Sequence, residues 1–344
     1  MPVTAQAAPR YSLVIPVLNE AQVLPALLAR LDGLMAALDG AAEVLFVDDG
    51  STDETATMIA VRAEFDDRYR LLSLSRNFGH QAAITAGMDA ARGAAVIVMD
   101  ADLQDPPELV LDLIAKWREG FQVVYAQRTV RHQEGWFKRW TAHLFYAGLR
   151  RLTAVDIPRN VGDFRLVDRQ VVEAFRAMPE RDRFVRGMFG WLGFRQTAVP
   201  FERQGRAAGQ TKYSLVKMVK LAVSGVVSFS DAPLKLALWM GFAVSAAALL
   251  YGLYVAVSAL AGGHGLVAGW ASTMVVIAFL SGLNMMLTGV VGLYVGRIHA
   301  EVKGRPLYVV NEPTAQIAVA DLKPAGLPEA LAEERSRLAR FAAG

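Results

Sequence analysis

The chain has 344 residues, 53% hydrophobic and 20% charged, with a formal net charge of +3 and no cysteine. This balance excludes a disordered, strongly charged chain, a disulfide framework, a thiolate metal site and a cysteine nucleophile; ordinary glycine and proline levels exclude collagen-like and low-complexity sequence. The length accommodates one ordinary domain plus a smaller unit, and so apolar an average needs a local source.

The first ten residues, MPVTAQAAPR, lack the apolar core of a signal peptide, so residues 1 to about 233 are expected in the cytoplasm. Tyr11 to Val17 reads as a strand and Ala21 to Leu38 as a helix. Val44 to Val47 is a second buried strand, and Ser51 to Glu54 has the pattern of a capping box opening a helix over Thr55 to Phe65. Leu71 to Ser75 is a third strand, Gln81 to Arg92 a helix, Ala94 to Met99 a fourth strand, Pro107 to Glu119 a helix and Val123 to Ala126 a further strand. Strands alternating with helices predict an α/β domain with a mostly parallel, doubly wound sheet. Ligands of such sheets bind beyond the carboxyl ends of the strands.

Those ends carry the polar residues. Asp100-Ala101-Asp102, followed by Gln104 and Asp105, places carboxylates at a rigid strand end, where hard oxygen ligands suit Mg²⁺ or Mn²⁺ and leave room for diphosphate oxygens. Asp48 and Asp49 read either as turn and cap residues or as one acceptor for a nucleotide base, with Pro16 and Glu20 walling that pocket. The Gly-rich dinucleotide fingerprint and the P-loop are both missing, which argues against dehydrogenases and P-loop NTPases. Arg128 and Arg131 follow the strand at Val123 and suit a phosphate through bidentate guanidinium contacts.

Two stretches, Trp136 to Leu152 and Tyr213 to Ser230, place apolar residues at helical spacing among lysines and arginines, as interfacial helices or helices packed on the domain do. From Leu236 to Gly296 there is no Asp, Glu, Lys or Arg. Leu236 to Ala261 and Trp270 to Gly296 each exceed the roughly 20 apolar residues of a spanning helix, and Gly262 to Gly265 is the turn between them. Basic residues flank both outer ends and none lies in the loop, so the positive-inside rule places both termini in the cytoplasm. Gly289, Gly292 and Gly296 allow close helix approach, within the hairpin or between copies, and a homo-oligomer is expected. The expected organisation is a catalytic domain over 1–212, a juxtamembrane amphipathic helix over 213–233, the hairpin over 234–297 and a cytoplasmic tail over 298–344, to which no role is assigned.

Four motifs in order, IPVLNE (15–20), VDDGSTDET (47–55), SRNFGHQAAITAGMDAARG (75–93) and VMDADLQDPPELV (98–110), resemble glycosyltransferase family 2, and more narrowly its polyisoprenyl-phosphate glycosyltransferases. The resemblance runs from about residue 10 to about 305. It implies the nucleotide-diphospho-sugar transferase fold (GT-A type) and an inverting single displacement. It implies that Pro16, Glu20 and Asp49 hold base and ribose, and that Asp100, Asp102 and Gln104 hold the metal and diphosphate. It places Asp163 of Gly162-Asp163-Phe164-Arg165 near the sugar and Lys212 on a basic loop, 205–214, that closes over the diphosphate. Asp102, Asp163 and Lys212 are thus the expected catalytic residues, Asp163 orienting a sugar hydroxyl or the acceptor site, with base catalysis as its second reading. No Q-x-x-R-W motif follows, which argues against a polymerising synthase. The implied reaction moves a hexose from a nucleotide sugar to undecaprenyl phosphate at the inner membrane, with UDP-glucose ahead of GDP-mannose, UDP-N-acetylglucosamine and UDP-aminoarabinose-type donors. No nucleic-acid partner is expected. The rivals are transfer to a different acceptor and a non-catalytic membrane scaffold.

Overall fold

The structure, a computed structural model, describes residues 8–129, 161–181, 183–202, 232–260 and 269–311. Among these residues seven strands form one sheet: β1 (Tyr11–Val17), β2 (Ala42–Asp48), β3 (Tyr69–Ser73), β4 (Ala95–Val98), β5 (Val123–Arg128), β6 (Val161–Asp168) and β7 (Gln196–Phe201). Their spatial order is β3-β2-β1-β4-β6-β5-β7. Helices α1 (Leu24–Ala37), α2 (Thr55–Phe65), α3 (His80–Ala90), α4 (Leu109–Arg118), α5 (Arg169–Arg176) and α6 (Val185–Trp191) cover the sheet.

Alternate residues of each central strand feed opposite cores, which is why these strands are continuous apolar runs. Leu13, Ile15, Phe46 and Ile97 pack with α1, α2 and α4. Val14, Val47, Val96 and Val98 pack with α3, α5 and α6.

The sheet is mixed rather than wholly parallel. β6 runs antiparallel to both β4 and β5, and β7 pairs parallel to β5. The amino end of β6 therefore lies at the same sheet edge as the carboxyl ends of β1, β2 and β4. The ladder pairs Val98 with Arg165, so extending its register by two residues sets Asp100 opposite Asp163.

The capping box expected at Ser51 is not made. Ser51 Oγ instead accepts from Asn19 N–H (3.0 Å), and Asp53 Oδ1 takes the Thr55 N–H (3.1 Å) at the start of α2. Tertiary ties between the loops after β1 and β2 outcompete the local cap.

The described part of a separate unit is made of α7 (Ala232–Leu260) and α8 (Trp270–Val302). At 1.5 Å per residue both are longer than the hydrocarbon core, about 30 Å. The windows Leu234–Tyr251 and Phe279–Val302 have mean hydropathies of 1.6 and 1.5 and bury none of their residues within the structure. Both helices are thus long and apolar enough to cross a membrane. Among the described residues, a Cβ placed at Gly289, Gly292 or Gly296 would meet nothing within 4 Å. The turn 262–265 and the stretches 136–152 and 213–230 lie outside the described residues.

Candidate active site

Four loops meet at the sheet edge defined by the carboxyl ends of β1, β2, β3 and β4. The first two are tied together: Asn19 Oδ1 accepts from Thr52 N–H (2.8 Å), Glu20 N–H donates to Thr55 Oγ1 (2.9 Å), and Ala21 N–H donates to Asp53 Oδ2 (3.3 Å). Pro16 sits in β1, a central strand, where proline is ordinarily excluded. The ladder to β4 ends at Val14 and Val98, with Met99 N–H donating to Val14 O (3.1 Å), so no partner is left wanting an N–H from Pro16. The cleft opens where β1 and β4 part.

Asp49 is buried, and its two oxygens accept from Phe78 N–H (2.7 Å) and Gly79 N–H (2.9 Å), which fixes the loop between β3 and α3. Asp48 Oδ1 caps its own turn through Ser51 N–H (3.0 Å). Of the two carboxylates left open as a base acceptor, both are engaged with backbone. Gly50, at φ +78°, lies where an added Cβ would stand 2.7 Å from Asn77 N, so the same loop packs directly on the β2 turn.

The acidic turn after β4 is held in an uncommon conformation. Leu103 has φ 55° and, with Asn19 at φ 57°, is one of two non-glycine residues at positive φ among the described residues; both lie on the loops of this edge. Asp102 Oδ1 accepts from Gln104 N–H (3.1 Å), and Gln104 and Asp105 are buried. Burial raises the Glu20 carboxyl, and the charges of Asp102, Asp53 and Asp100 raise it further. Burial likewise raises Asp100, against the His80 charge and with the help of Asp163, Asp102 and Asp105. Carboxylates that disfavour one another's ionisation are a donor set that a divalent cation satisfies.

Among the described residues no group of three or more His, Asp or Glu side chains stands ready to hold a metal alone. Asp100 and Asp102 fit the ligand set of an ion whose remaining positions are filled by diphosphate and water oxygens.

Asp163, buried on β6, is surrounded by cations. Arg186 on α6 grips it with both ends of its fork, Nε to Oδ1 at 2.8 Å and an NH2 to Oδ2 at 3.1 Å. His80 Nε2 lies 3.3 Å from Asp163 Oδ2 and 3.4 Å from Asp100 Oδ1, bridging the two carboxylates. Gln81 Nε2 adds a weak donor at 3.4 Å, and the buried Arg165 lies 3.8 Å away. Burial alone would raise Asp163, but the hydrogen bonds from His80 and Arg186 and the charges of Arg186 and Arg165 outweigh it and hold the carboxyl far below its usual range. Burial would lower His80, yet the Asp163 hydrogen bond and the charges of Asp100 and Asp163 leave it above its usual value. Burial pushes Arg165 down to about 10.

The structure thus brings Pro16, Glu20, Asp49, Asp100, Asp102, Gln104 and Asp163 to one edge. Arg128 is close by at the end of β5, where its NH2 pairs with the buried Asp105 carboxylate (3.1 Å). Arg131 and Lys212, with the basic loop 205–214, lie outside the described residues. Sequence reasoning places His80 at a strand end without giving it a role, and passes over Arg186. His80 ends a strand-end motif and begins α3, a signal that could have marked it; Arg186 sits on a short helix with no local sign that it reaches the site.

A mostly parallel α/β sheet with an acidic pair at one strand end and a cation-paired carboxylate on a returning antiparallel strand is the arrangement expected of the glycosyltransferase family that the four motifs resemble. The profile described as Glycosyl transferase family 2 matches residues 12–176, spanning β1 to α5. The chain belongs to this family, since whole-length relatives share well over 30% identity with it. The uncharacterized glycosyltransferase YkcC of Bacillus subtilis is 46% identical over 88% of this chain and 94% of its own. A glycosyltransferase of Synechocystis sp. is 45% identical over 88% and 94%. The bactoprenol glucosyl transferase of Shigella phage SfII is 39% identical over 88% and 98%. Among solved structures, glucosyl-3-phosphoglycerate synthase from Mycobacterium tuberculosis is 20% identical over 64% of this chain and 79% of that one, with a TM-score of 0.45.

Proposed function

We propose that the protein transfers glucose from UDP-glucose to a polyprenyl phosphate, with inversion, at the cytoplasmic face of the membrane. The observation that carries the acceptor and sugar is the 39% identity to a bactoprenol glucosyl transferase over 98% of that protein's length, a span that takes in both apolar helices. The site geometry supports the same reading. The donor's base and ribose would lie against Pro16, Glu20 and the Asp49 turn, and its diphosphate beside Asp100, Asp102 and Gln104.

In the reaction an acceptor phosphate oxygen forms a bond to the anomeric carbon while the bond from that carbon to the UDP β-phosphate oxygen breaks, and UDP leaves with the electron pair. A divalent cation, Mg²⁺ or Mn²⁺, held by Asp100 and Asp102 would neutralise charge on the departing diphosphate. Lys212 would add to that neutralisation, and Arg128 and Arg131 would receive the lipid phosphate. Asp163 does not take a proton. The second ionisation of a phosphate monoester lies near 6, so the acceptor is a stronger base than a carboxylate gripped by Arg186 and His80. Its part is to hold that cationic group in register with Asp100, across the ladder that joins β4 and β6.

The helices α7 and α8 would anchor the chain in the inner membrane, with the sheet domain and both termini in the cytoplasm. The test uses purified full-length protein in detergent with undecaprenyl phosphate, Mn²⁺ or Mg²⁺, and separately radiolabelled UDP-glucose, UDP-N-acetylglucosamine and GDP-mannose. Label from UDP-glucose is expected in the lipid phase. Transfer from another donor instead would overturn the sugar assignment, and no transfer from any donor with UDP binding intact would overturn the reaction.

A further inference from the structure

Among the described residues β3 ends the sheet order, with β2 as its one neighbouring strand. An exposed edge of this kind is usually blunted or covered. Here residues 308–311, reached soon after α8 ends, lie along it and belong to the same compact unit as the sheet. Ser75 N–H donates to Val309 O and Asn311 N–H donates to Ser73 O, both at 2.8 Å, bracketing an antiparallel bridge between Leu74 and Val310. The Tyr308 hydroxyl donates to Asp89 Oδ2 on α3 (2.8 Å), and burial, together with that carboxylate, raises the phenol so that it remains a donor. Tyr308 and Val310 also pack against the core on the α3 face.

These bonds fall at the two ends of one functional segment. Ser75 immediately precedes the loop 76–79, and Asp89 is near the end of the helix that His80 begins. Between them lie the two amides that Asp49 binds, the backbone that packs on Gly50, and His80 itself, which meets Asp100 and Asp163.

We propose that residues 308–311 form a positioning strap for the donor site: by fixing β3 and α3 they hold the 76–80 loop against the β2 turn, so that Asn311 and Tyr308 set nucleotide-sugar affinity without touching the substrate. The inference rests on the assignment of the donor to this sheet edge. A strap that merely covers an edge strand would affect stability alone.

The experiment compares the full-length protein with Asn311→Pro, which deletes one N–H, Asn311→Ala, which keeps it, and Tyr308→Phe, which deletes one hydroxyl. Titration with UDP and Mn²⁺, KM for UDP-glucose and for undecaprenyl phosphate, kcat, and amide hydrogen exchange over 74–80 are measured on each. Asn311→Pro and Tyr308→Phe are expected to weaken UDP binding and raise the donor KM roughly three- to tenfold, the worth of one hydrogen bond, with acceptor KM and kcat changed less than about twofold. Exchange at 76–80 should quicken in both, and Asn311→Ala should match the parent. Unchanged UDP affinity and exchange, with only a lowered melting temperature, would overturn the proposal, as would an equal loss in Asn311→Ala. Should Asn311→Pro fail to fold, Tyr308→Phe carries the same comparison. UDP binding and exchange are read without turnover, so a chain that binds UDP but transfers no sugar would sink the reaction and leave the strap standing.

Discussion

Replacing Arg186 with alanine tests whether Asp163 is an anchored anion or a base. The fork from Arg186 supplies the two shortest side-chain contacts to Asp163, and its removal leaves a carboxylate that is 6% exposed with His80, Gln81 and the more distant Arg165. Hydrogen bonds to charged groups are worth about 1.5–3 kcal/mol, and because Arg186 itself is 40% exposed we take the low end, about 1.5–2 kcal/mol. If that energy positions the site during turnover, kcat should fall roughly ten- to thirtyfold in Arg186→Ala, since about 1.4 kcal/mol is a factor of ten.

The same substitution has a pH signature. The Asp163 pKa is depressed in the folded state, so its stabilisation is complete above the unfolded value, about 3.9, and is lost as pH falls through the lower folded value. The difference in melting temperature between parent and Arg186→Ala should therefore be full at pH 7 and narrow below about pH 4. Thermal unfolding of both proteins in detergent, with kcat measured over the same range, gives the readout. The acid limb of turnover should follow the acceptor phosphate near pH 6 in both. A limb near pH 4 that moves upward in Arg186→Ala, or a variant with undiminished kcat, would refute the anchor and restore the base.

Asp102→Asn should lower activity by roughly a hundredfold or more and abolish Mn²⁺-dependent UDP binding in calorimetry, because it removes one of two charges offered to the cation. Exhaustive chelation should silence the enzyme, with recovery on adding Mn²⁺ or Mg²⁺; full activity after chelation would remove the metal from the mechanism. Gly50→Ala combines positive φ with a Cβ 2.7 Å from Asn77 N, so it should raise the donor KM severalfold while the protein remains folded by circular dichroism. Gly87→Ala on α3 would place a methyl 2.2 Å from Val14 Cγ1 and 2.9 Å from Val47 Cγ2, and the overpacking should cost about 1–3 kcal/mol in denaturant unfolding.

Strand and helix identities through β5 were legible because each central strand is buried on both faces and so spells a continuous apolar run. The boundaries of β1 and α2 come out as read, while α3 begins one residue early, at His80. The strand-end rule was enough to gather Glu20, Asp49, Asp100 and Asp102, since parallel strands put all their carboxyl ends on one edge. The charge-free stretch marked α7 and α8, although α8 continues past Gly296 to Val302.

What the sequence alone determined is therefore the chemistry available and the edge on which most of it lies, because burial and side-chain alternation are local properties of a strand. Only the tertiary structure decided the company each group keeps. The antiparallel insertion of β6 between β4 and β5 brings Asp163 opposite Asp100 across more than sixty residues of chain, and no local pattern reports strand direction. The same packing lets His80 bridge the two carboxylates and lets Arg186 fix the ionisation of Asp163, since a carboxyl's pKa depends on the charges around it rather than on its neighbours in sequence. The pairing of residues 308–311 with β3 is of the same kind: an unpaired strand edge can be satisfied from anywhere along the chain, and folding alone selects the segment that arrives.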